Sequence, residues 1–359
     1  MTIKNYLLVY RDVPLTPGAA SGGAEMATHR LAQYLARAGN QVVIAGILQI
    51  PHFSYNGVEY WSYGSDYKIE EVFEKAKDRW SSFHLLAVGN AFPLVFARSV
   101  PQVATRVFVC HDRHASDAGF SLPLVSKLSQ AFCVVSEAHK SEVVQKGADP
   151  STIHILYNGV DLETFTPVGN VPRDPYKVIF AGALVQDKGL HVLLQAYSQL
   201  KPRIPQLTLD VYGSSAMWGR DPIFDQSALE AQLPGVTFKG AVNQTQLAQA
   251  YAGAGIFVFP SIWFECFPLS CLEAQASGCA VVAFDVGGVK EGIVNGVTGM
   301  VLPEISPESL IQAIGTLLSQ PEKALGMGRE GMLHIQKNFK WEHVAARVMS
   351  LCSSLHAEG

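Results

Sequence analysis

Apolar positions in this chain come in short unbroken runs: YLLVY, QVVIAGIL, FHLLAVG, TRVFVC and FCVVS in the first half, then KVIFAG, LTLDVYG, GIFVFPS and CAVVAFDV in the second. Runs that are apolar at consecutive positions bury both faces, as strands do in a parallel sheet covered by helices on either side. Helical patterns separate them, so each half is predicted to be a doubly wound α/β sheet. Towards the end, SPESLIQAIGTLLSQ, EKALGMGREGMLHIQKN and WEHVAARVMSLCSSL read as three successive amphipathic helices, the first two opened by Ser306-Pro307 and Pro321. Between the halves, TFTPVGNVPRDPYK carries three prolines with glycine and asparagine, a composition suited to an extended, solvated connection. The boundary is therefore placed near residues 167 to 175, giving domains over 1–167 and 168–338 and a last helix over 339–359 that crosses back to the first domain.

At 359 residues the chain exceeds the usual size of one domain, which agrees with two cores. Hydrophobic residues make up 48% and charged ones 16%, which excludes long solvated tails. The net charge of -4 gives no general attraction for nucleic acid, and none is expected as a partner. Six cysteines contain no CxxC pair and several sit inside apolar runs, which points to a reducing, cytoplasmic setting. The opening MTIKNYLLVYRDVP reads as a first strand rather than a secretory leader. The longest apolar runs fall short of the ~20 residues a membrane span needs. Low basicity disfavours work at an anionic membrane surface, with peripheral membrane contact left open.

Four segments could carry chemistry. In PGAASGGAEMATHRLAQYLARAGN, Gly22 and Gly23 precede a helix beginning near Ala24, whose free N–H groups suit an anion; a plain turn into a core helix explains them equally well. In VFVCHDRHAS a buried strand ends at His111, at the crevice end of a sheet; a purely structural histidine explains it equally well. In KVIFAGALVQDKGLHVLLQAYSQL, Lys188 lies in the first turn of a helix, against the macrodipole, so a negative group is expected beside it, for which a phosphate would serve; a solvated surface lysine is the plainer alternative. In FECFPLSCLE, Pro268 suits the first helical position, with Leu269, Leu272 and Ala276 on one apolar face; Glu265 then lies in the loop ahead and Glu273 on the inward side, where it needs hydrogen-bonding partners. A carboxylate there suits a pair of sugar or ribose hydroxyls. The chain holds no DxD, HExxH or Walker pattern, so neither a catalytic metal nor a bound cofactor is expected.

Taken together, SGGAEMATHRLAQYLARAGNQVVIA, CHDRH, VVSEAHKSEVVQKG, ILYNGVDLETFTP, AGALVQDKGLHVLLQA, the run from Glu265 to Gly299 and FKWEHVAARV resemble glycosyltransferase family 4, the group 1 glycosyl transferases. The resemblance implies a GT-B fold, two doubly wound Rossmann-like domains facing a deep cleft. It also implies a retaining, metal-independent transfer of a hexose from a UDP-, GDP- or ADP-linked sugar to an acceptor hydroxyl. By it, Lys188 holds the diphosphate, Glu273 the ribose and Glu265 the transferred sugar. The backbone at Phe267, Leu269 and Ser270 meets sugar and phosphate, and Gly182, Gly213, Ser214 and Val242 line the nucleotide. Gly23 and His111 approach phosphate and sugar from the first domain. Gly22, Asn90 and Arg113 stand among the loops near 11–22, 52–66, 90–96 and 113–120 that would read the acceptor. The aromatics Phe53, Tyr55, Tyr60, Trp61 and Tyr63 suit either stacking on a sugar or a packed loop.

Two positions depart from the family pattern. Ala183 stands where an arginine is usual, which removes one phosphate cation unless Arg113, Arg220 or Lys290 replaces it; Pro268 stands where glycine is common, which removes one N–H. A catalytically silent sugar-nucleotide-binding protein is the alternative that Ala183 keeps open. A dinucleotide-dependent oxidoreductase is the other, and it lacks its GxGxxG.

Overall fold

The computed structural model describes residues 3–10, 22–48, 50, 52–63, 68–112, 120–169, 171–215 and 223–358. The chain forms two compact units, Met1–Gly159 with Trp341–Gly359, and Val160–Lys340.

In the first unit β1 (Asn5–Tyr10), β2 (Gln41–Gly46), β3 (His52–Tyr55), β4 (Val58–Ser62), β5 (Phe83–Val88), β6 (Val103–Cys110), β7 (Ala131–Val134) and β8 (Ile153–Ile155) make one sheet in the order β3-β4-β2-β1-β5-β6-β7-β8. In the second, β9 (Asp174–Ala181), β10 (Thr208–Tyr212), β11 (Val236–Gly240), β12 (Ala254–Phe259), β13 (Ala280–Phe284) and β14 (Gly299–Leu302) run β11-β10-β9-β12-β13-β14. Every pairing is parallel except β3 with β4. In each sheet the winding reverses beside the first strand, at β1/β5 and at β9/β12, and loops leaving the carboxyl ends there have room for a ligand.

All nine apolar runs became strands. The five strands the runs did not foretell, β3, β4, β8, β11 and β14, are short or only part-buried. β3 and β4 form a hairpin on Asn56-Gly57, both with positive φ (49° and 79°), as a tight antiparallel turn requires. Phe53 stacks on Tyr60 at 4.6 Å, Tyr60 bonds through its hydroxyl to His29 Nδ1 at 2.9 Å, and Trp61 stacks on Trp80. Tyr63 is buried and donates to the Tyr10 carbonyl. These rings are core, which removes the sugar-stacking reading for Tyr60, Trp61 and Tyr63.

The three helices expected at the end are Pro307–Ser319, Pro321–Asn338 and Trp341–Glu358. The last buries Trp341, Val348 and Cys352 and packs on the helix Gly23–Arg37 and on β6, within the first unit. The units divide at Gly159/Val160, earlier than the proline-rich stretch suggests. Val160 bridges to Lys340, Asp161 caps the helix Leu162–Phe165, and Ser277 donates to the Phe165 carbonyl at 2.9 Å, so residues ahead of the prolines already belong to the second unit. Nor is the stretch solvated throughout. The Arg173 guanidinium donates to the carbonyls of Tyr251 (3.0 Å), Ser277 (2.5 Å) and Ala254, a set of fixed acceptors that composition alone does not reveal.

Among the described residues no helix is long and apolar enough to cross a membrane. The helix Gln244–Gly253 opens on a reciprocal cap between Asn243 and Gln246. Asn243→Ala should cost about 1 kcal/mol and lower the melting temperature of this unit by about 2–4 °C, measured by calorimetry; an unchanged melt would show the cap contributes nothing.

Candidate active site

Beyond the carboxyl end of β12 the chain runs Pro260, Ser261 and on to Glu265; beyond β9 it makes a tight turn, Gln186–Lys188, before the helix Leu190–Leu200. The two segments are fastened together. Ile262 N–H donates to the Asp187 carbonyl at 2.9 Å, and Gly189, at φ 68°, lies so close that a Cβ would fall 1.8 Å from the Pro260 carbonyl oxygen. Only glycine fits there. Lys188 thus precedes its helix instead of occupying the first turn, and the negative group expected beside it is Glu265: Nζ donates to Oε1 at 2.6 Å. Oε1 also accepts from the Ser261 hydroxyl at 2.6 Å. The pair is part-exposed, 27% for the lysine side chain and 13% for the glutamate, so a ligand can reach it.

Glu265 is held from below by the turn after β13. Its carbonyl accepts from Gly288 N–H at 2.8 Å, and Gly287, at φ 58°, would bring a Cβ within 2.2 Å of that same oxygen. Asn295 Oδ1 accepts from Val301 N–H, and Gly296 N–H donates to the Gly299 carbonyl. The glycine-rich run after Glu273 therefore supports the main chain that aims Glu265.

The helix Leu269–Ala276 begins one residue later than Pro268 was expected to start it; Pro268 is its N-cap, at φ -73° and ψ 119°, and supplies no side-chain cap. Its first turn, with Leu269 and Ser270, is half-exposed, whereas every residue from Cys271 to Ala276 is buried. Burial is thus all round, not confined to one apolar face, which fits its weakly amphipathic composition. Glu273 is 8% exposed and Gln244 Nε2 lies 3.5 Å from its Oε1. Phe267 is buried against the Phe339 ring. Gly182 and Gly213 sit where β9 and β10 end, joined by Gly182 N–H to the Tyr212 carbonyl, Leu184 N–H to the Ser214 carbonyl and Gly213 N–H to the Gly240 carbonyl. Val242 is half-buried between β11 and the helix Gln244–Gly253. The second unit thus gathers Gly182, Lys188, Gly213, Ser214, Val242, Glu265, Leu269, Ser270 and Glu273 around the carboxyl edge of one sheet. Of the cations proposed to replace the missing arginine, Lys290 is paired with Asp285 at 3.2 Å, and Arg113 and Arg220 lie outside the described residues.

In the first unit Gly22 is the N-cap and Gly23 the first residue of the helix Gly23–Arg37, again with no side-chain cap. Asn90 follows β5 and His111 follows β6, on neighbouring strands. Asn90 is 1% exposed; its Oδ1 accepts from Phe92 N–H at 2.7 Å, while Nδ2 has no partner among the described residues. Both His111 ring nitrogens are buried without a partner among the described residues, and burial, with His139 nearby, lowers its pKa from 6.5 to about 4. At neutral pH the ring is uncharged and offers one donor and one acceptor.

Two family models match consecutive stretches that together take in most of the chain: Glycosyltransferase Family 4 over residues 21–164, and Glycosyl transferases group 1 over residues 162–333. The chain belongs to these glycosyltransferases. A D-inositol 3-phosphate glycosyltransferase of Arthrobacter sp. is 33% identical over 220 residues, 58% of this chain and 52% of the relative. The chain spans about half the length of the curated relatives it matches. Among solved structures, sucrose-phosphate synthase from Thermosynechococcus elongatus superposes with a TM-score of 0.79 at 21% identity, over 99% of this chain and all of that one (100%). Anabaena HepE, solved with UDP-glucose, superposes with a TM-score of 0.76 at 19% identity, over 98% and 99%. The fold is GT-B.

Two residues of the site escaped the sequence reading. Ser261 is 0% exposed beside Glu265, and its only signal was a hydroxyl placed directly after the buried run GIFVFP. Gln244, against Glu273, comes from a helix 29 positions away and left no local signal.

Proposed function

We propose that the chain is a retaining, metal-independent hexosyltransferase that uses a nucleoside diphosphate sugar. The observation that carries this reading is the convergence of Lys188 and Glu265 at 2.6 Å, on a part-exposed edge, next to a helix whose first turn lacks a side-chain cap. An ammonium, free amides and a carboxylate are what a diphosphate joined to a polyhydroxyl ring requires. HepE was solved with UDP and with UDP-glucose, which supports a uridine donor.

In the proposed reaction the diphosphate takes Lys188 and the first-turn amides of Leu269 and Ser270, while Glu265 accepts hydroxyls of the sugar and Glu273 those of the ribose. The bond from the anomeric carbon to the diphosphate oxygen breaks. The fixed positive groups stabilise the charge on that oxygen as the carbon gains oxocarbenium character. The acceptor oxygen bonds to the same face, and its proton passes to the departing phosphate oxygen. No general base and no metal ion are assigned a part. Neutral His111 is assigned to the transferred sugar, and Gly22 and Asn90 to the acceptor. Six buried free thiols support a reducing, cytoplasmic setting.

A thermal-shift and hydrolysis screen with UDP-, GDP- and ADP-sugars, their nucleotides and NAD tests the reading. A bound donor at a hundred times its Kd should add about 2.7 kcal/mol to stability, a rise of several degrees. Stabilisation by NAD alone overturns the reading. Donor binding without turnover supports the silent relative that Ala183 allows.

A further inference from the structure

We infer that Ser261 is a positioning residue for the donor sugar, acting through Glu265; this rests on the reading just given. The Ser261 hydroxyl has one proton and three acceptors in range: Glu265 Oε1 at 2.6 Å, the Asp187 carbonyl at 3.2 Å and the Trp263 carbonyl at 3.4 Å. The short contact to a charged oxygen takes the proton, since charge-assisted bonds are both shorter and stronger. Lys188 donates to the same Oε1, so among the described residues both protein bonds to the carboxylate fall on one oxygen, which leaves Oε2 for the ligand. The two partners differ in permanence. Lys188 carries a flexible charge that an incoming diphosphate draws away, whereas Ser261 is 0% exposed just beyond β12 and cannot follow. Once the diphosphate is in place, Ser261 becomes the fixed anchor that keeps Glu265 turned towards the sugar. When the carboxylate is absent, the Asp187 and Trp263 carbonyls can in turn accept the hydroxyl's hydrogen bond.

The test compares binding of two probes, the sugar nucleotide that the wild type hydrolyses fastest in the screen above and the matching nucleoside diphosphate. Titration calorimetry is run on the wild type, Ser261→Ala, Glu265→Ala and the double variant. Ser261→Ala should weaken the sugar nucleotide by about tenfold or more, the scale for losing a hydrogen bond to a charged group, with the diphosphate within about twofold. In the Glu265→Ala background the same substitution should change neither, because a residue acting through Glu265 has nothing left to act on. Ser261→Cys, which keeps the shape but donates weakly, should follow Ser261→Ala and serves if alanine prevents folding. Equal losses for both probes, or the same loss with and without Glu265, would mean that Ser261 only supports the fold, and the inference fails. A wild type that binds diphosphate and sugar nucleotide but is indifferent to Ser261→Ala also sinks it, while leaving the proposed function intact. A wild type that responds to no sugar nucleotide removes both.

Discussion

Replacing Glu265 by alanine should reduce transfer by about 10²–10³-fold or more while the protein stays folded. The loss is large because, in the reaction proposed above, this carboxylate meets the part of the donor that changes charge and geometry. The fold is spared because the features that hold the loop belong to its main chain: the Glu265 carbonyl still accepts from Gly288, and the neighbouring Ile262 amide still donates to Asp187. What is lost is a part-exposed ion pair, a contribution of about 1 kcal/mol or less after screening, and the hydrogen bond from Ser261, whose hydroxyl can turn to the Asp187 or Trp263 carbonyl. Steady-state transfer rates and a melting curve check both halves. A variant with full activity refutes the role of Glu265, and one that melts many degrees lower shows that the carboxylate is structural.

A second large effect should appear with acid, and in the first unit before the second. His29, His84, His111 and His139 all belong to the first unit, and each has its pKa lowered from 6.5 to about 4, chiefly by burial. Arg30 adds to this at His29, Lys4 and His356 at His84, and His139 at His111; at His139, Glu142 opposes the burial. Between these limits the unfolded chain binds more protons than the folded one, so stability rises with pH through that window. It is complete above about pH 6.5 and is lost as the pH falls towards 4, by at most about 3 kcal/mol for each group. Even part of that sum is comparable with the whole stability of a domain. Hydrogen exchange, corrected for its intrinsic pH dependence, should show β1, β5 and β6 losing protection between pH 6 and 4 while β9 and β12 keep theirs. His29→Gln should flatten the slope. Loss in the second unit first would contradict the assignment.

The strands of both sheets were legible because parallel strands buried on two faces leave unbroken apolar runs, as in YLLVY and GIFVFPS. The hairpin of β3 and β4 was less so, since its rings alternate with polar residues and read as a loop, although Asn56-Gly57 was a usable turn signal. The site was legible where a residue type was out of place locally. Lys188 beside a helix start and Glu273 on a buried helix both asked for partners, and each has one. Ser261 and Gln244 were not legible, because what marks them is a distance across the fold. The unit boundary misled for a similar reason: prolines announce a bend in the chain, whereas the division is set by Val160 meeting Lys340 and by Arg173 finding its carbonyls.

The final helix, Trp341–Glu358, has a bearing on how the protein is made. Because it completes the first unit, the second unit is an insertion whose two ends meet at Val160 and Lys340, and it can finish folding as the ribosome delivers it. The first unit, though its strands are made ahead of the second unit, must hold an unfinished surface on the helix Gly23–Arg37 and β6 until Trp341–Glu358 emerges. The unit whose strands are made first is therefore the one that waits on a later segment, and a chain cut near residue 340 would keep every element of the second unit while depriving the first of its closing helix.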